Sequence, residues 1–303
     1  MGTYVVGDIH GCFKEWMELK NRIEAQDSNA KFILVGDIID RGSQVVEMVL
    51  WALENITENG KYQMVLGNHE DAIIEWWDNY REFIDNSLIE VKNHISFRDY
   101  GKDNYNFQAS FAKTKLNDNQ MNELINFFRS LPVYKELYVD TGRKDGKPQH
   151  YLVVHSAIHP SVLNRDETFK KRSVTYTKKY DMLNTMRVGE TRQYILWQRL
   201  REGYRWLNHT VVVHGHTPTI LKNCLSLLDE VDGRILYRHA DINVDTGIVY
   251  DNYRTRNLSA IRLEDLEEFY LFEPPYKISP SQQAMKYNLL NMIHGLKFSK
   301  GWM

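Results

Sequence analysis

Five short apolar runs in this chain each end in a carboxylate, an amide or an imidazole that could bind a metal ion. A run rich in β-branched residues that stops at Gly-Asp, Gly-Asn or His is typical of a buried strand with a polar residue at its carboxyl end. In open α/β sheets, ligands bind outside those carboxyl ends. The candidate ligands that the five runs deliver are Asp8, His10, Asp37, Asp40, Asn68, His69, His155, His214 and His216. These residue types predict the site of a metal-dependent hydrolase.

The donor types indicate which metals such a site takes. Oxygen and nitrogen donors suit Mn, Fe or Zn, and the absence of cysteine from the set argues against a structural zinc or an iron–sulfur cluster. Asp8 and His10 are two residues apart, so an extended backbone places both on one face. Asp37 is the candidate to bridge two cations, an arrangement that clamps a phosphoryl group for in-line displacement. We expect two divalent cations, Mn²⁺ first, with Fe or Zn as alternatives.

A phosphoryl hydrolase also needs a cationic group for the phosphate and an acid for the leaving oxygen. Arg41 directly follows Asp40, and a guanidinium binds phosphate oxygens bidentately. His69 follows Asn68 and so lies beside the metals without having to bind one. A carboxylate such as Asp40 could orient the His69 imidazole and stabilise its protonated form. One such element alone could be an ordinary turn, but five in succession are not expected by chance.

The elements that must position these residues alternate between strand and helix in the first half of the chain. The order strand, helix, strand, helix, strand implies a parallel sheet with right-handed crossovers. The second half is richer in strands, and the apolar spacing after Ser281 predicts a closing helix. We predict an α/β (α+β) fold in a single domain over 1–303, with an elaborated segment at about 84–118 and a C-terminal helical extension at about 281–303.

The composition limits the partners and the compartment. The chain has 303 residues and a net charge of −2, so no overall basic field favours nucleic acid or an anionic membrane. Two cysteines are too few for a disulfide framework and suit a reducing compartment. The first strand begins almost at the amino terminus, which argues against a signal peptide, and no apolar run reaches membrane-spanning length. We expect a cytoplasmic monomer that binds neither nucleic acid nor membrane.

At these residues the chain resembles the phosphoprotein phosphatase (PPP) family of metallophosphoesterases. The blocks that carry the resemblance are Gly7–Gly11, Gly36–Gly42, Gly67–Glu70, His155 and Gly215–Thr217. The matches run in order to about Asp265 and are most similar to bacterial and phage members, including lambda-phage-type protein phosphatases and symmetrical diadenosine tetraphosphatases. The resemblance implies a four-layer αββα sandwich of the calcineurin-like metallophosphoesterase type.

The resemblance also implies a role for each residue. It assigns Asp8, His10 and Asp37 to the first metal, and Asp37, Asn68, His155 and His216 to the second. The attacking group would be a hydroxide that bridges the two metals.

By the same resemblance, His69 is the general acid paired with Asp40. Arg41 binds the substrate phosphate, Arg199 is similar to the family's second phosphate-binding arginine, and Asn68 and His69 line the same phosphate site. The ligand in a block of this kind is the histidine after the glycine. We therefore expect His216 to bind the metal and His214 to lie beside it.

Three hypotheses of function result. The first is a serine/threonine-type protein phosphatase acting on phosphorylated proteins, with activity on small aryl phosphates. The second keeps the chemistry but takes a dinucleoside polyphosphate, cleaved symmetrically, or another nucleotide phosphate. The third is a non-catalytic metal-binding regulatory domain, which would be expected to lack a ligand or the His69 acid; this chain lacks neither.

Overall fold

A computed structural model describes residues 1–85, 116–158, 195–199, 210–221, 233–251, 253–274 and 277–296 of the chain. Most of the segment predicted to elaborate the site, at about 84–118, lies outside these residues, as do residues 297–303 of the predicted C-terminal extension.

The first half of the chain alternates between strand and helix, as predicted. The elements are β1 (Thr3–Val6), α1 (Phe13–Gln26), β2 (Lys31–Leu34), α2 (Val45–Asn55), β3 (Tyr62–Met64), α3 (Asn68–Asp85) and α4 (Asp118–Ser130). Helix α4 begins with a capping box in which the side chain of Asn117 accepts from the Gln120 amide and the Gln120 side chain accepts from the Asn117 amide.

The second half is richer in strands and ends in a helix. Its elements are β4 (Tyr134–Val139), β5 (Gln149–Val154), β6 (Thr210–His214), β7 (Leu236–Tyr237), β8 (Asp241–Asn243), β9 (Ser259–Arg262), β10 (Glu268–Tyr270) and α5 (Pro280–Ile293). Helix α5 begins with Ser279 as its N-cap and Pro280 in its first turn, a combination that favours a sharp helix start. Leu289 and Ile293 of α5 are buried, so the predicted closing helix is present.

The first sheet has the strand order β10-β9-β1-β2-β3. Strands β1, β2 and β3 are parallel, whereas β9 runs antiparallel to both β1 and β10. Strand β9 thus returns from the second half of the chain to pair with the first strand.

The second sheet has the strand order β4-β5-β6-β8-β7. Strands β5, β6 and β8 are parallel, and the edge strands β4 and β7 are antiparallel to their neighbours. Each sheet thus has three neighbouring parallel strands, whose carboxyl ends meet at one edge. This arrangement gives six strand ends for the site, one more than the sequence predicted.

The two sheets pack face to face because alternate strand residues are apolar on both faces. The layer between the sheets contains side chains from both, such as Val5 and Ile33 of the first sheet and Val153 and Val213 of the second. The opposite face of the first sheet packs against α1, α2, α3 and α4 through a core that includes Trp16. Within the described residues, no helix is long and apolar enough to cross a membrane.

Candidate metal centre and active site

Each predicted ligand region lies just beyond the carboxyl end of a parallel strand. In the first sheet β1 leads to Asp8, β2 leads to Asp37 and β3 leads to Asn68, the first residue of α3. In the second sheet β5 leads to His155 and β6 leads to His216. All five side chains are buried. The folded chain therefore brings the predicted strand ends together in one place.

The backbone at these strand ends adopts the left-handed region unusually often. Six non-glycine residues of the described ranges have a positive φ, and five of them are predicted site residues: His10 (46°), Asp37 (53°), Asp40 (68°), Arg41 (62°) and His216 (69°). A sparsely populated backbone conformation costs about 1–3 kcal/mol and persists where the surrounding structure holds it, often at functional sites. The contacts around these loops must therefore offset the strain.

The buried carboxylate of Glu70 holds the loop after β2. Its Oε2 accepts from the amides of Asp37 at 2.8 Å and Gly67 at 3.1 Å, and its Oε1 accepts from the amides of Ile38 at 2.9 Å and Ile39 at 3.4 Å. Burial and the charge of Asp37 raise the pKa of Glu70 to about 8, whereas the amide bonds oppose this rise. Both oxygens accept from backbone amides, so Glu70 fixes the turn that aims Asp37 into the site.

Two glycines are required where the loops approach one another. Gly36 has φ of 99°, and a Cβ there would lie 2.6 Å from the Cα of Gly67. A Cβ on Gly215 would lie 2.0 Å from Oδ1 of Asp8. Only a residue without a side chain permits these approaches, because real Cβ contacts do not occur at such distances.

One group of candidate ligands consists of His10, Asp37 and His69, whose ligand atoms lie within 4.8 Å of one another. Oδ2 of Asp37 lies 3.6 Å from Nε2 of His10 and 3.8 Å from Nε2 of His69. Nδ1 of His10 lies 2.8 Å from the carbonyl oxygen of Ile39. A carbonyl only accepts, so Nδ1 carries the proton and the lone pair of Nε2 faces Asp37.

A second group shares the same Asp37 oxygen. Oδ2 of Asp37 lies 3.4 Å from Nε2 of His155, and this nitrogen lies 3.2 Å from Nδ1 of His216. Oδ1 of Asn68 lies 2.7 Å from Nε2 of His155 and 3.0 Å from Nδ1 of His216. Asp37 therefore stands between two sets of donors, the position expected of a bridging ligand.

The hydrogen bonds of the second group show that it suits a cation. Nδ1 of His155 lies 2.9 Å from the carbonyl oxygen of Val35, and Nε2 of His216 lies 3.2 Å from that of Trp197. These nitrogens must carry the protons, so the inward nitrogens of both rings are acceptors. Together with Oδ1 of Asn68 they form three acceptors that face one another with no proton between them. A metal ion satisfies such a set, so the residues fit the predicted cation.

Burial shifts both kinds of ligand towards their neutral forms. It lowers the pKa of His10 and His216 well below the ordinary value and that of His155 to about 3. Burial also raises the pKa of Asp37 to about 7. Neutral imidazole is the form that binds metal, and a bound cation returns a buried carboxyl to its ionised form.

Asp8 lies beside both groups but belongs to neither. Its Oδ1 and Oδ2 accept from the amide of His216 at 3.2 and 3.1 Å. Burial, followed by the charges of Asp245 and Asp37, raises the pKa of Asp8. In the described residues the group around His10 thus includes His69 where the sequence predicts Asp8, and Asp8 as a ligand stays a prediction.

Arg41, Asp40 and His69 are brought together as predicted. Nδ1 of His69 lies 2.5 Å from Oδ2 of Asp40. The Arg41 guanidinium lies 2.7 Å from Nε2 of His10 and 3.2 Å from Nε2 of His69, so it brings a cation to two imidazole lone pairs. Burial, then the charges of His10 and Arg41, lower the pKa of His69. A lowered pKa disfavours the protonated form that an acid requires, whereas the carboxylate of Asp40 favours that form.

Arg199 lies on a short segment held against the site. Leu196 is buried, the carbonyl of Trp197 faces His216, and Oγ of Ser156 donates to the carbonyl of Gln198. The Arg199 side chain is exposed, and its positive charge helps to lower the pKa of the buried carboxyl Asp37. An exposed guanidinium whose charge reaches the ligands is suitably located for an incoming phosphate.

His214 points away from both groups of ligands. Its Nε2 lies 3.3 Å from Oδ1 of Asp241, and its Nδ1 lies 3.1 Å from the carbonyl oxygen of Gly215. Of the two imidazoles in this block, His216 is the one whose nitrogen lies among candidate ligands within the described part of the chain. This geometry is consistent with His214 as a neighbour of the site.

The geometry can be set against known proteins. The sequence profile of the calcineurin-like phosphoesterase family matches residues 1–250. The chain belongs to this family. The predicted fold class and the predicted resemblance to metallophosphoesterases are thereby confirmed, and the reaction class is phosphoester hydrolysis.

Relatives of this calcineurin-like phosphoesterase carry nucleotide-related names. The asymmetrical bis(5'-nucleosyl)-tetraphosphatase PrpE of Oceanobacillus iheyensis is 24% identical over 272 residues, which is 87% of this chain and 89% of the relative. The symmetrical bis(5'-nucleosyl)-tetraphosphatase of Buchnera aphidicola subsp. Baizongia pistaciae is 36% identical over 96 residues, only 31% of this chain and 34% of the relative. A solved serine/threonine phosphatase from Saccharomyces cerevisiae covers 92% of this chain and 82% of its own, with 13% identity and a TM-score of 0.47.

Three residues of this phosphoesterase site were missed as candidates in the sequence. Glu70 ends a block already singled out, and its buried carboxylate braces Asp37. Asp245 follows β8, the sixth parallel strand end, and burial raises its pKa to about 7. Tyr250 lies against Arg41, with its hydroxyl 3.5 Å from the guanidinium. The signal for Asp245 was present, because its strand also ends in a carboxylate, but that strand is only three residues long.

Proposed function

We propose that this calcineurin-like phosphoesterase is a dinuclear-metal enzyme that hydrolyses the phosphate chain of bis(5'-nucleosyl) tetraphosphates. The reaction class rests on one observation: two groups of acceptors share Oδ2 of Asp37, and the Arg41 guanidinium lies against one of them. Two divalent cations, Mn²⁺ in our proposal, when bound, polarise a phosphoryl group and lower the pKa of the attacking water.

The residues of the chain supply the remaining steps. Arg41 and Arg199 bind the phosphate oxygens and orient the chain for in-line attack. His69 delivers a proton from Nε2 to the leaving oxygen, while Asp40 holds the ring through Nδ1 at 2.5 Å and supports its positive charge. Nδ2 of Asn68 is buried without a hydrogen-bond partner, and in this proposal it donates to the phosphate.

The relatives support a nucleotide substrate over a phosphoprotein. Similarity along 87% of this chain is to a protein named for asymmetrical cleavage of bis(5'-nucleosyl) tetraphosphates. This reverses the order of the two substrate hypotheses drawn from the sequence, which put phosphoserine and phosphothreonine first. It also favours asymmetrical cleavage over the symmetrical cleavage expected there.

The products of one reaction test this proposal. Purified protein is incubated with Mn²⁺ and diadenosine tetraphosphate, and the nucleotides are separated by anion-exchange chromatography. We expect equal amounts of ATP and AMP. Formation of ADP alone would mean symmetrical cleavage and would refute the proposed position of attack.

A parallel assay with a phosphoserine peptide tests the first hypothesis from the sequence, a serine/threonine-type protein phosphatase. Rapid release of phosphate from the peptide together with an intact dinucleotide would replace the proposed substrate by a phosphoprotein. The Asp37→Asn variant, purified in the same way, controls for a contaminating phosphatase in both assays.

A further inference from the structure

Two tyrosines extend from Arg41 along the loop that follows β8. The guanidinium carbon of Arg41 lies 5.8 Å from the centroid of the Tyr250 ring, and Nη1 lies 3.5 Å from its hydroxyl. The Tyr250 ring meets the Tyr253 ring edge to face, with centroids 6.2 Å apart and planes at 89°. Aromatic surface therefore continues outward from the arginine that borders the candidate metal site.

The second of these rings is accessible. Tyr253 is 38% exposed, whereas Tyr250 is half-buried. An edge-to-face contact uses at most one face of either ring, so it leaves at least one face of Tyr253 out of the contact. A planar ligand can stack on that face.

Hydrogen bonds at both ends of the loop fix where Tyr253 lies. The Asn257 amide donates to the Thr246 carbonyl at 3.0 Å, and Oγ1 of Thr246 donates to the Asn257 carbonyl at 2.8 Å. The Arg256 guanidinium donates to the carbonyl of Ile248 at 2.8 Å. A ring on a loop that is already closed loses little conformational freedom when it binds a ligand.

The other exposed tyrosines of the described ranges lie elsewhere. Tyr138 stacks on His150 at the edge strand β4, with ring centroids 4.8 Å apart. Tyr287 is 62% exposed on α5. Tyr253 differs from both because its ring contacts Tyr250, which contacts Arg41.

We propose that Tyr253 is a stacking platform for a base of the nucleotide substrate. The inference rests on the proposed function and names how that substrate is recognised. A nucleotide carries its phosphates and its base at opposite ends of a ribose. With its phosphates at Arg41, it directs the base over Tyr250 towards the open face of Tyr253. Stacking of bases on aromatic side chains does not depend on a hydrogen-bond code, so any purine base is accepted.

The test compares two ligands that differ only in the nucleoside. Binding of a methylene-bridged ATP analogue and of methylene-bridged tripolyphosphate to the Mn²⁺-loaded protein is measured by calorimetry. We expect the wild type to bind the nucleotide more tightly. In Tyr253→Leu the Kd for the nucleotide should rise about 5- to 150-fold relative to the Kd for tripolyphosphate, the usual loss for one stacked base.

Two further variants make the result specific. Tyr253→Phe keeps the ring face and should retain the preference for the nucleotide. Tyr287→Leu removes an exposed tyrosine far from Arg41 in the chain and should leave both Kd values unchanged. Equal affinity of the wild type for the two ligands would overturn the platform. So would a loss in Tyr253→Leu that is the same for both, or a loss in Tyr253→Phe as large as that in Tyr253→Leu.

The binding assay requires no turnover, so its failure is separate from that of the proposed function. A protein that prefers the nucleotide through Tyr253 but leaves diadenosine tetraphosphate intact would contradict only the proposed activity. A protein that cleaves the dinucleotide while Tyr253→Leu binds both ligands as the wild type does would contradict only the platform.

Discussion

The loops after β1, β2 and β3 of the first sheet contain four of the site residues with positive φ, namely His10, Asp37, Asp40 and Arg41. In the described residues of the loops after β5, β6 and β8 of the second sheet there is one, His216. The strand ends of the first sheet also supply all three proposed oxygen ligands, Asp8, Asp37 and Asn68, and both members of the proposed acid pair. A loop that must aim several groups in different directions leaves ordinary backbone conformations more often.

The two sets of loops are held by different chemistry. In the first sheet the Glu70 carboxylate accepts four backbone amides. The loops of the second sheet are held instead by the neutral side-chain amide of Asn243. Its Nδ2 donates to the carbonyl of Thr217 at 2.8 Å, and its Oδ1 accepts from the Asp245 amide at 2.9 Å. Glu70 therefore makes four hydrogen bonds to its loops, whereas Asn243 makes two. The more strained loops thus have the stronger support.

Removal of the shared ligand should have the largest effect. Asp37→Asn takes the charge from the oxygen that lies between both groups, so activity should fall by more than the 10- to 100-fold typical of residues that only orient ligands, with loss of metal from both sites. His216→Ala removes a ligand from only the second group, which consists of Asp37, His155 and His216. Metal content measured by mass spectrometry alongside turnover distinguishes the two variants. Retention of two metals by Asp37→Asn would show that Asp37 does not bridge them.

The loss of activity on substitution of the proposed acid, His69, should depend on the leaving group of the substrate. His69→Asn should slow diadenosine tetraphosphate or alkyl phosphates by about 10²–10⁴-fold and aryl phosphates far less, because a good leaving group does not need the proton. The comparison is of kcat on substrates of different leaving-group pKa. Equal losses on all substrates would refute the acid role and leave His69 as a ligand of the first group.

Substitution of Glu70, which holds the loops of the first sheet, should reduce activity more than substitution of Asn243, which holds those of the second. Glu70→Gln places an NH₂ against backbone amides, so activity should fall about 10- to 100-fold and metal content should decrease. Asn243→Asp keeps the acceptor for the Asp245 amide but loses the donor to Thr217, and should cost less. Urea unfolding of both variants shows whether the loss is local. An Asn243→Asp variant that is more impaired than Glu70→Gln would reverse the comparison of the two sheets.

The carboxyls and the imidazoles predict opposite pH dependences in the metal-free protein. The raised pKa values, about 7 for Asp37 and Asp245 and about 8 for Glu70, mean that the folded state holds more protons than the unfolded state between about pH 4 and 8. Stability from these groups therefore falls as the pH rises. The imidazole pKa values are lowered, with His155 at about 3, so their contribution rises with pH and levels off above about 6.5.

Between pH 6.5 and 8 the loss from the carboxyls exceeds the remaining gain from the imidazoles, so the metal-free protein should lose about 1–2 kcal/mol of unfolding free energy over this interval. Urea midpoints at the two pH values, in chelator and in excess Mn²⁺, measure this change. With metal the loss should become smaller, because the cation holds Asp37 ionised. A metal-free protein that becomes more stable from pH 6.5 to 8 would contradict the raised pKa values.

We expect the smallest effect from substitution of His214, whose side chain points away from both groups of candidate ligands. His214→Asn should leave metal content unchanged and reduce activity by less than about 10-fold, because its Nε2 faces Asp241. His216→Asn is the matched variant in the same block and should lose metal. Loss of a metal ion from His214→Asn would return His214 to the set of ligands.

Much of the fold and the residue content of the site could be predicted because they depend on local patterns. Apolar runs of strand length and their order determine a parallel sheet, and parallel strands carry their carboxyl-end residues to one edge. The pairing of Asp40 with His69, which the resemblance to the PPP family implied, is present at 2.5 Å. The return of β9 to β1 could not be read locally, because it joins residues from opposite ends of the chain.

The sequence by itself determined which residue types meet at the strand ends and hence the chemistry of the site. The tertiary structure alone decided where each side chain points. Asp8 accepts the His216 amide, His214 faces Asp241, and His155 is fixed by the carbonyl of Val35. The physical reason is that direction after a strand end depends on a left-handed backbone and on partners far along the chain, and neither leaves a periodic signal in the sequence.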